Sequence, residues 1–315
     1  MSPIASTRLG ESSLTVSRIA LGSWPTFERL PRDAAEQLLA HALAQGVSFL
    51  DDARYNDETG RAPLPTGWSE VLFGELFRAA GVDRSSVVVS NKLWWEFWPR
   101  EDALTELHGS LQRMRFDRLD LLYSSTPPEN LPVPVVIEQI AEVLASGLID
   151  AWGVVNWSAE QLAEGVRAAQ RLEIAMPCAV QLPYNLAQLD WVEDPAMLAA
   201  IAAGNSGLVG SAVLAGGALS GKYASGGTGR LTPEVGDTRR QRALSIGAAL
   251  PALAAELDTS PATLATAFTL TNPLTASTLI GATQPSQVDA AIEAIAVADR
   301  LTAPDLERLR ALAAS

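Results

Sequence analysis

The sequence predicts an α/β fold: a (β/α)8 TIM barrel of eight parallel strands and their helices, with a short N-terminal β-hairpin and an extra C-terminal helix. Three observations predict it. Short apolar runs alternate with longer segments of helical period, the pattern of βα units around a parallel sheet. Eight such runs occur, at 18–21, 47–50, 87–91, 119–123, 151–154, 179–182, 208–211 and 277–280, and 315 residues suit eight units in one closed barrel. No Gly-rich strand-to-helix turn follows the first run, which disfavours the rival, a doubly wound open sheet. No linker divides the chain, so residues 1–315 are expected to form a single domain.

The elements follow in order. Residues 7–16 read as a hairpin turning at Glu11 and Ser12, placed to plug one end of the barrel. Asp33 is positioned to cap a helix carrying Leu38, Leu39 and Leu43, which ends near Gly46. Ser69 opens a helix with Val71, Leu72, Leu76 and Phe77, and residues 102–114 place Leu104, Leu107 and Leu111 at helical spacing. Ser158 and Gln161 form the Ser-x-x-Gln pattern of a capping box before a helix over 160–172. Residues 216–242, rich in Gly, Ser, Thr and charge, are expected as a long loop, and Pro251 and Glu256 interrupt the Ala/Leu-rich stretch after it. Pro261 stands where a first-turn proline belongs in the helix running to Leu270.

Composition narrows the function classes. A formal net charge of −13 would repel a phosphate backbone, so nucleic-acid binding is not expected. Cys178 is the single cysteine, so a disulfide within the chain is impossible, and its apolar surroundings suggest a buried small hydrophobe in a strand. The N-terminus lacks the apolar region of a signal peptide, and no run reaches the roughly 20 apolar residues of a membrane span. A cytoplasmic protein acting on a small molecule, away from membranes and without a metal, is the expectation.

In a barrel, chemistry gathers at the C-terminal ends of the strands. The polar residues that follow the apolar runs are therefore candidates: Ser23, Asp51, Asp52, Tyr55, Lys92, Ser125, Asn156, Gln181 and Ser211. Adjacent strand ends can bring Asp51, Tyr55 and Lys92 together. An ammonium beside a phenol stabilises phenolate and lowers the phenol pKa from about 10, which suits a proton donor to a carbonyl oxygen. An aspartate would orient the lysine and compensate its charge. The competing reading is a partly buried Asp–Lys pair with Tyr55 as ordinary packing. His41 and His108 lie within expected helices and are read as structural.

At these residues the chain resembles the aldo-keto reductases. Leu9-Gly10, Val16-Ser17-Arg18 and Leu21-Gly22-Ser23-Trp24 are similar to the family's opening. Asp51-Asp52-Ala53 with Tyr55 resembles its Asp-Thr-Ala segment and catalytic tyrosine, and Ser69-Glu70 with Gly74 its Ser-Glu-x-x-x-Gly helix start. Asn91-Lys92, Gly153-Val154-Val155-Asn156, Gln181 with Tyr184-Asn185, and Leu219-Ser220-Gly221-Lys222-Tyr223 follow in family order over nearly the whole chain. The resemblance implies a nicotinamide cofactor, NADP(H) or alternatively NAD(H), and carbonyl reduction or alcohol oxidation. It implies Tyr55 as general acid/base, Lys92 tuning it, Asp51 supporting Lys92, and Asn156 and Gln181 at the nicotinamide carboxamide. Ser23, Asp51, Ser211, Leu214, Gly216 and Lys222 are implied around the cofactor, with Gly281, Thr283 and Gln287 at a phosphate-binding turn.

Departures from the pattern are specific. Ser125 stands where the family usually has a histidine, and serine carries no positive charge near neutral pH. The Asp-to-Tyr interval is one residue short of the family's; Asp51 is preferred as the lysine partner because it stands two before Ala53, and Asp52 is the alternative. Val155 replaces a serine, and Ser211 stands where an aromatic often stacks on the nicotinamide. Thr283 and Gln287 occupy positions where Arg or Lys often meets a 2′-phosphate. Trp24, Trp94 and Trp95, with Phe97 and Trp98, are expected as an aromatic wall for substrate; a buried loop anchor or oligomer contact is the alternative. Two further readings are a non-catalytic nucleotide-binding regulator and a lyase or isomerase reusing the Tyr–Lys pair.

Overall fold

A computed structural model describes residues 4–24, 26–55, 62–64, 66–223 and 237–314. Strands β1 (Ser6–Arg8) and β2 (Thr15–Ser17) pair antiparallel as the N-terminal hairpin. The strands β3 (Ile19–Gly22), β4 (Phe49–Asp51), β5 (Val88–Leu93), β6 (Leu121–Ser125), β7 (Ala151–Val155), β8 (Ala179–Pro183), β9 (Gly207–Ser211) and β10 (Thr275–Ile280) follow. They are all parallel and close in sequence order, with β10 between β9 and β3. This is the (β/α)8 barrel.

Each barrel strand coincides with one of the eight apolar runs, shifted by up to two residues. The shift has a cause. Apolarity ends before the strand does, because Asp51, Lys92, Ser124 and Ser125 continue the ladders of β4, β5 and β6. Those polar residues are buried inside the barrel mouth or against its wall, where hydrophobicity alone does not register them.

Two apolar cores result. The larger lies between barrel and helices; the smaller fills the barrel and contains Phe49, Leu121, Tyr123, Ala151, Val155 and Val209. Leu9, Leu14 and Val16 of the hairpin belong to the inner core, so the hairpin closes the N-terminal end as expected. Burying each such side chain contributes about 1.5–3 kcal/mol. The polar strand ends of β4, β5 and β6 lie at the opposite end.

Capping follows the sequence at several helices. Asp102 accepts the Thr105 amide at 2.8 Å to start Ala103–Met114, and Ser158 and Gln161 complete a capping box at the head of Ala159–Arg171. Pro261 opens Pro261–Leu270. Asp33 is not a cap: the helix Arg32–Ala44 starts from Pro31, and Asp33 sits in the first turn, where its charge favours the helix dipole. The expected long loop over 216–242 is corrected at both ends. Ala215–Ser220 forms a 3-10 segment, and the helix Thr238–Glu256 starts within the expected loop. That helix also runs through Pro251, because Leu250, Leu253 and Ala254 are buried on its packed face and offset the proline's cost of about 3 kcal/mol. Residues 224–236 lie outside the described residues. After β10 come the helices Pro285–Arg300 and Ala303–Ala314, the second being the extra C-terminal helix.

Candidate active site

The parallel register brings Gly22, Asp51 and Ser90 level across β3, β4 and β5, with Lys92 further along β5 beside Tyr123. Asp51 continues the inward face of Phe49, and its Oδ2 lies 2.7 Å from Lys92 Nζ. Its Oδ1 accepts the Ser90 hydroxyl at 2.6 Å, and Lys92 Nζ also donates to the Asp52 carbonyl at 2.9 Å. Lys92 is 3% exposed and Asp51 5%, so the pair is desolvated and each charge depends on the other. Burial works to lower the Lys92 pKa. The charges of Asp51, then Tyr55 and Asp52, outweigh it and the net direction is upward.

Of the two aspartates left open by the sequence, the carboxylate on Lys92 is that of Asp51. Asp52 turns its side chain to the Ser23 hydroxyl instead. Burial, with the nearby charge of Glu70, pushes Asp52 up to about 8.

Tyr55 follows on the segment after β4. Ser69 pins this segment: its hydroxyl donates to the Ala53 carbonyl at 2.5 Å and accepts the Tyr55 amide at 3.4 Å. Ser69 is set by the helix Trp68–Ala80, which packs closely because a Cβ on Gly74 would meet the Met114 carbonyl oxygen at 2.1 Å. The Tyr55 ring stacks on Trp24 (centroids 4.3 Å apart) and takes the edge of Trp94 at 4.9 Å.

The expected aromatic wall divides. Trp94 stands beside Tyr55. Trp95 does not face the mouth: it takes a left-handed φ of 60°, is 3% exposed, donates Nε1 to Ser124 Oγ at 3.0 Å and joins the core between barrel and helices. It anchors the loop, a correction to its expected role on the wall. Glu106 directs this fork, accepting the Trp94 amide at 2.6 Å and the Trp95 amide at 3.1 Å. Arg54, 3% exposed, lies 3.5–3.8 Å from Glu96, Glu101 and Glu106 and ties the tyrosine segment to the loop. The sequence reading missed Arg54 and Glu106. An arginine next to the tyrosine and three glutamates in the following segment were the available signal. A second support runs from Arg113 to Glu70, from Glu70 to Asn91 Nδ2 (2.7 Å), and from Asn91 Oδ1 to the Lys92 amide (2.7 Å).

Across the mouth, Ser125 ends β6. Its carbonyl accepts Trp157 Nε1 at 2.9 Å, while its buried Oγ has no hydrogen-bond partner among the described residues. Gln181 on β8 is 3% exposed and its Nε2 is in the same condition. Asn156 follows β7 in a left-handed turn (φ 59°), donates its amide to the Gln181 carbonyl at 3.0 Å, and is exposed.

Ser211 ends β9, and Leu214 leads into a turn in which Ala215, Gly216 and Gly217 all have positive φ. Lys222 lies beyond that turn, its Nζ 5.0 Å from the Tyr223 ring centroid. Gly281 follows β10 directly. The Gln287 side-chain oxygen accepts the Thr283 amide at 2.7 Å and the Thr283 hydroxyl at 3.3 Å, tying the helix start to the turn.

The "Aldo/keto reductase family" model matches residues 18–314. A "Probable voltage-gated potassium channel subunit beta" from Oryza sativa subsp. japonica is 32% identical over 323 residues, covering 98% of this chain and 96% of the relative. A protein of the same description from Arabidopsis thaliana is 30% identical over 317 residues, covering 96% of this chain and 94% of the relative. With a closed eight-stranded barrel and a match over nearly its whole length, this chain belongs to the aldo/keto reductase family, whose general chemistry is nicotinamide-dependent oxidoreduction.

Proposed function

We propose that the protein reduces an aldehyde or ketone, or oxidises the corresponding alcohol, with a nicotinamide nucleotide. The observation that carries this reading is the desolvated Lys92–Asp51 pair at the barrel mouth, with Tyr55 on the segment that follows Asp51 and stacked on Trp24. Tyr55 gives its phenolic proton to the carbonyl oxygen in reduction and takes it back in oxidation. Lys92 stabilises the phenolate left behind, and Asp51, braced by Ser90, keeps the ammonium in place. When bound, the nucleotide supplies the hydride that reaches the carbonyl carbon.

The residues present fit such a nucleotide. Gln181 Nε2 and Ser125 Oγ are buried polar atoms without partners among the described residues, and a carboxamide and a substrate oxygen would satisfy them. Asn156, Ser23 and Ser211 follow or end strands at the same end, and the turn from Leu214 through Gly216 to Lys222 would hold the pyrophosphate. Gly281 would offer backbone to the nucleotide tail, whereas the Thr283 amide is already bonded to Gln287. NADP(H) is the proposed cofactor. Lys222 is the cation that would favour it over NAD(H), since Gln287 is neutral and engaged with Thr283. Separate titrations with NADPH and NADH test this preference.

Tyr55→Phe is expected to abolish NADPH oxidation across a panel of carbonyl compounds while NADPH still quenches tryptophan fluorescence. Full retained turnover overturns the assignment. A second reading has its own support in the channel-subunit description of the two plant relatives and in Ser125 at the usual histidine position. In it the barrel is a nucleotide-binding regulatory subunit of a membrane channel. NADPH binding without turnover on any compound of the panel would favour that reading.

A further inference from the structure

Asp52 is a buried acid that the proposed chemistry leaves unused. Three carboxyls crowd this corner, Asp51, Asp52 and Glu70, each no more than 5% exposed. Among the described residues two cations meet them. Lys92, from β5, is taken by the Asp51 carboxylate, and Arg113, from the helix Ala103–Met114, by that of Glu70 on the helix Trp68–Ala80. The Asp52 carboxyl meets neither. It accepts the Ser23 hydroxyl on Oδ1, and its Oδ2 has no hydrogen-bond partner among the described residues. An ionised oxygen left that way in the interior is costly, whereas a protonated one removes the charge. Yet Asp52 touches both sides of the site, because Lys92 Nζ donates to its main-chain carbonyl at 2.9 Å.

We infer that Asp52 is a positioning residue: a neutral carboxylic acid that holds Ser23 through its side chain, and whose ionisation draws Lys92 away from Asp51 and slows the proton transfer assigned to Tyr55. The groups that govern its ionisation are those around it. Glu70 and burial oppose it, while Ser23, the Ala53 amide and Lys92 favour it. The transition lies at about 8. The kinetic part of this inference rests on the proposed oxidoreductase function; the protonation state and its couplings do not.

Infrared spectra of the full chain between about pH 6 and about pH 10 test it. The wild type is expected to show a protonated-carboxyl band that fades around pH 8, and Asp52→Asn is expected to lack it. Ser23→Ala and Lys92→Met should each move that midpoint upward, since each removes a group that favours the ionised form. In NADPH-dependent reduction, the wild-type rate should fall through the same interval, and Asp52→Asn should lose that inflection. A wild type without the band, a band that persists in Asp52→Asn, or a midpoint unmoved by both Ser23→Ala and Lys92→Met overturns the inference. If no carbonyl is reduced, the oxidoreductase reading fails, and the infrared titration still decides the state of Asp52 and its links to Ser23 and Lys92.

Discussion

The two sides of the barrel mouth are finished differently. Around β4 and β5, both Asp51 oxygens, the Lys92 ammonium, Asn91 and Glu70 are held by hydrogen bonds within the protein, and Asp52 Oδ2 is the exception. Around β6 and β8, Ser125 Oγ and Gln181 Nε2 are buried without partners among the described residues. A network satisfied before any ligand arrives is preorganised and needs no rearrangement when charge develops. Each unsatisfied buried group instead carries a cost of about 1–3 kcal/mol until something bonds to it. One side looks built to act, the other to be completed.

The largest expected effect comes from breaking the satisfied side. Lys92→Met should lower turnover by roughly a hundredfold to ten-thousandfold, while NADPH affinity measured by fluorescence changes little. Turnover close to wild type would make the network structural only.

The second test is of stability. The Asp52 carboxyl lies at about 8 in the folded protein against an ordinary 3.8, so between those values the folded state binds more protons than the unfolded one. The contribution of Asp52 to stability is therefore fully present below about pH 4 and is lost as pH rises towards 8. Asp52→Asn should remove this slope and be the more stable protein at alkaline pH, by on the order of a few kcal/mol. Urea unfolding of both proteins across that interval measures it, and parallel slopes would refute it.

On the unsatisfied side the effects should be smaller. Gln181→Ala should weaken NADPH binding by up to roughly tenfold, the worth of one hydrogen bond, without lowering the stability of the free protein appreciably beyond its lost packing. Unchanged affinity would separate this atom from the cofactor. Ser125→Ala should be the mildest, a loss of roughly a few-fold in kcat/KM, because a neutral hydroxyl supplies one uncharged contact. A loss as large as that of Lys92→Met would move Ser125 into the proton-transfer machinery and erase the contrast between the two sides.

Much of this was legible along the chain. The eight apolar runs located the barrel strands, and the polar residues after them located the mouth, since both patterns are local and a parallel strand buried on both faces must be apolar until it reaches its end. The hairpin and its plugging role were legible in the same way. The limits were equally physical. Trp94 and Trp95 are neighbours of one type, yet a left-handed backbone at Trp95 and a carboxylate from Glu106 send them to opposite sides of the wall. Arg54 reads as an ordinary surface charge until the three glutamates gather around it.

By itself, then, the order of residues determined the barrel, which end carries polar groups and which strands contribute them, because strand periodicity and burial repeat over a few residues. Tertiary structure fixed the choice between Asp51, which the sequence preferred, and Asp52. The two are adjacent, but Lys92 arrives from 41 positions away and Ser23 from 29, and the alternation of side chains at the end of β4 gives each aspartate a different neighbour.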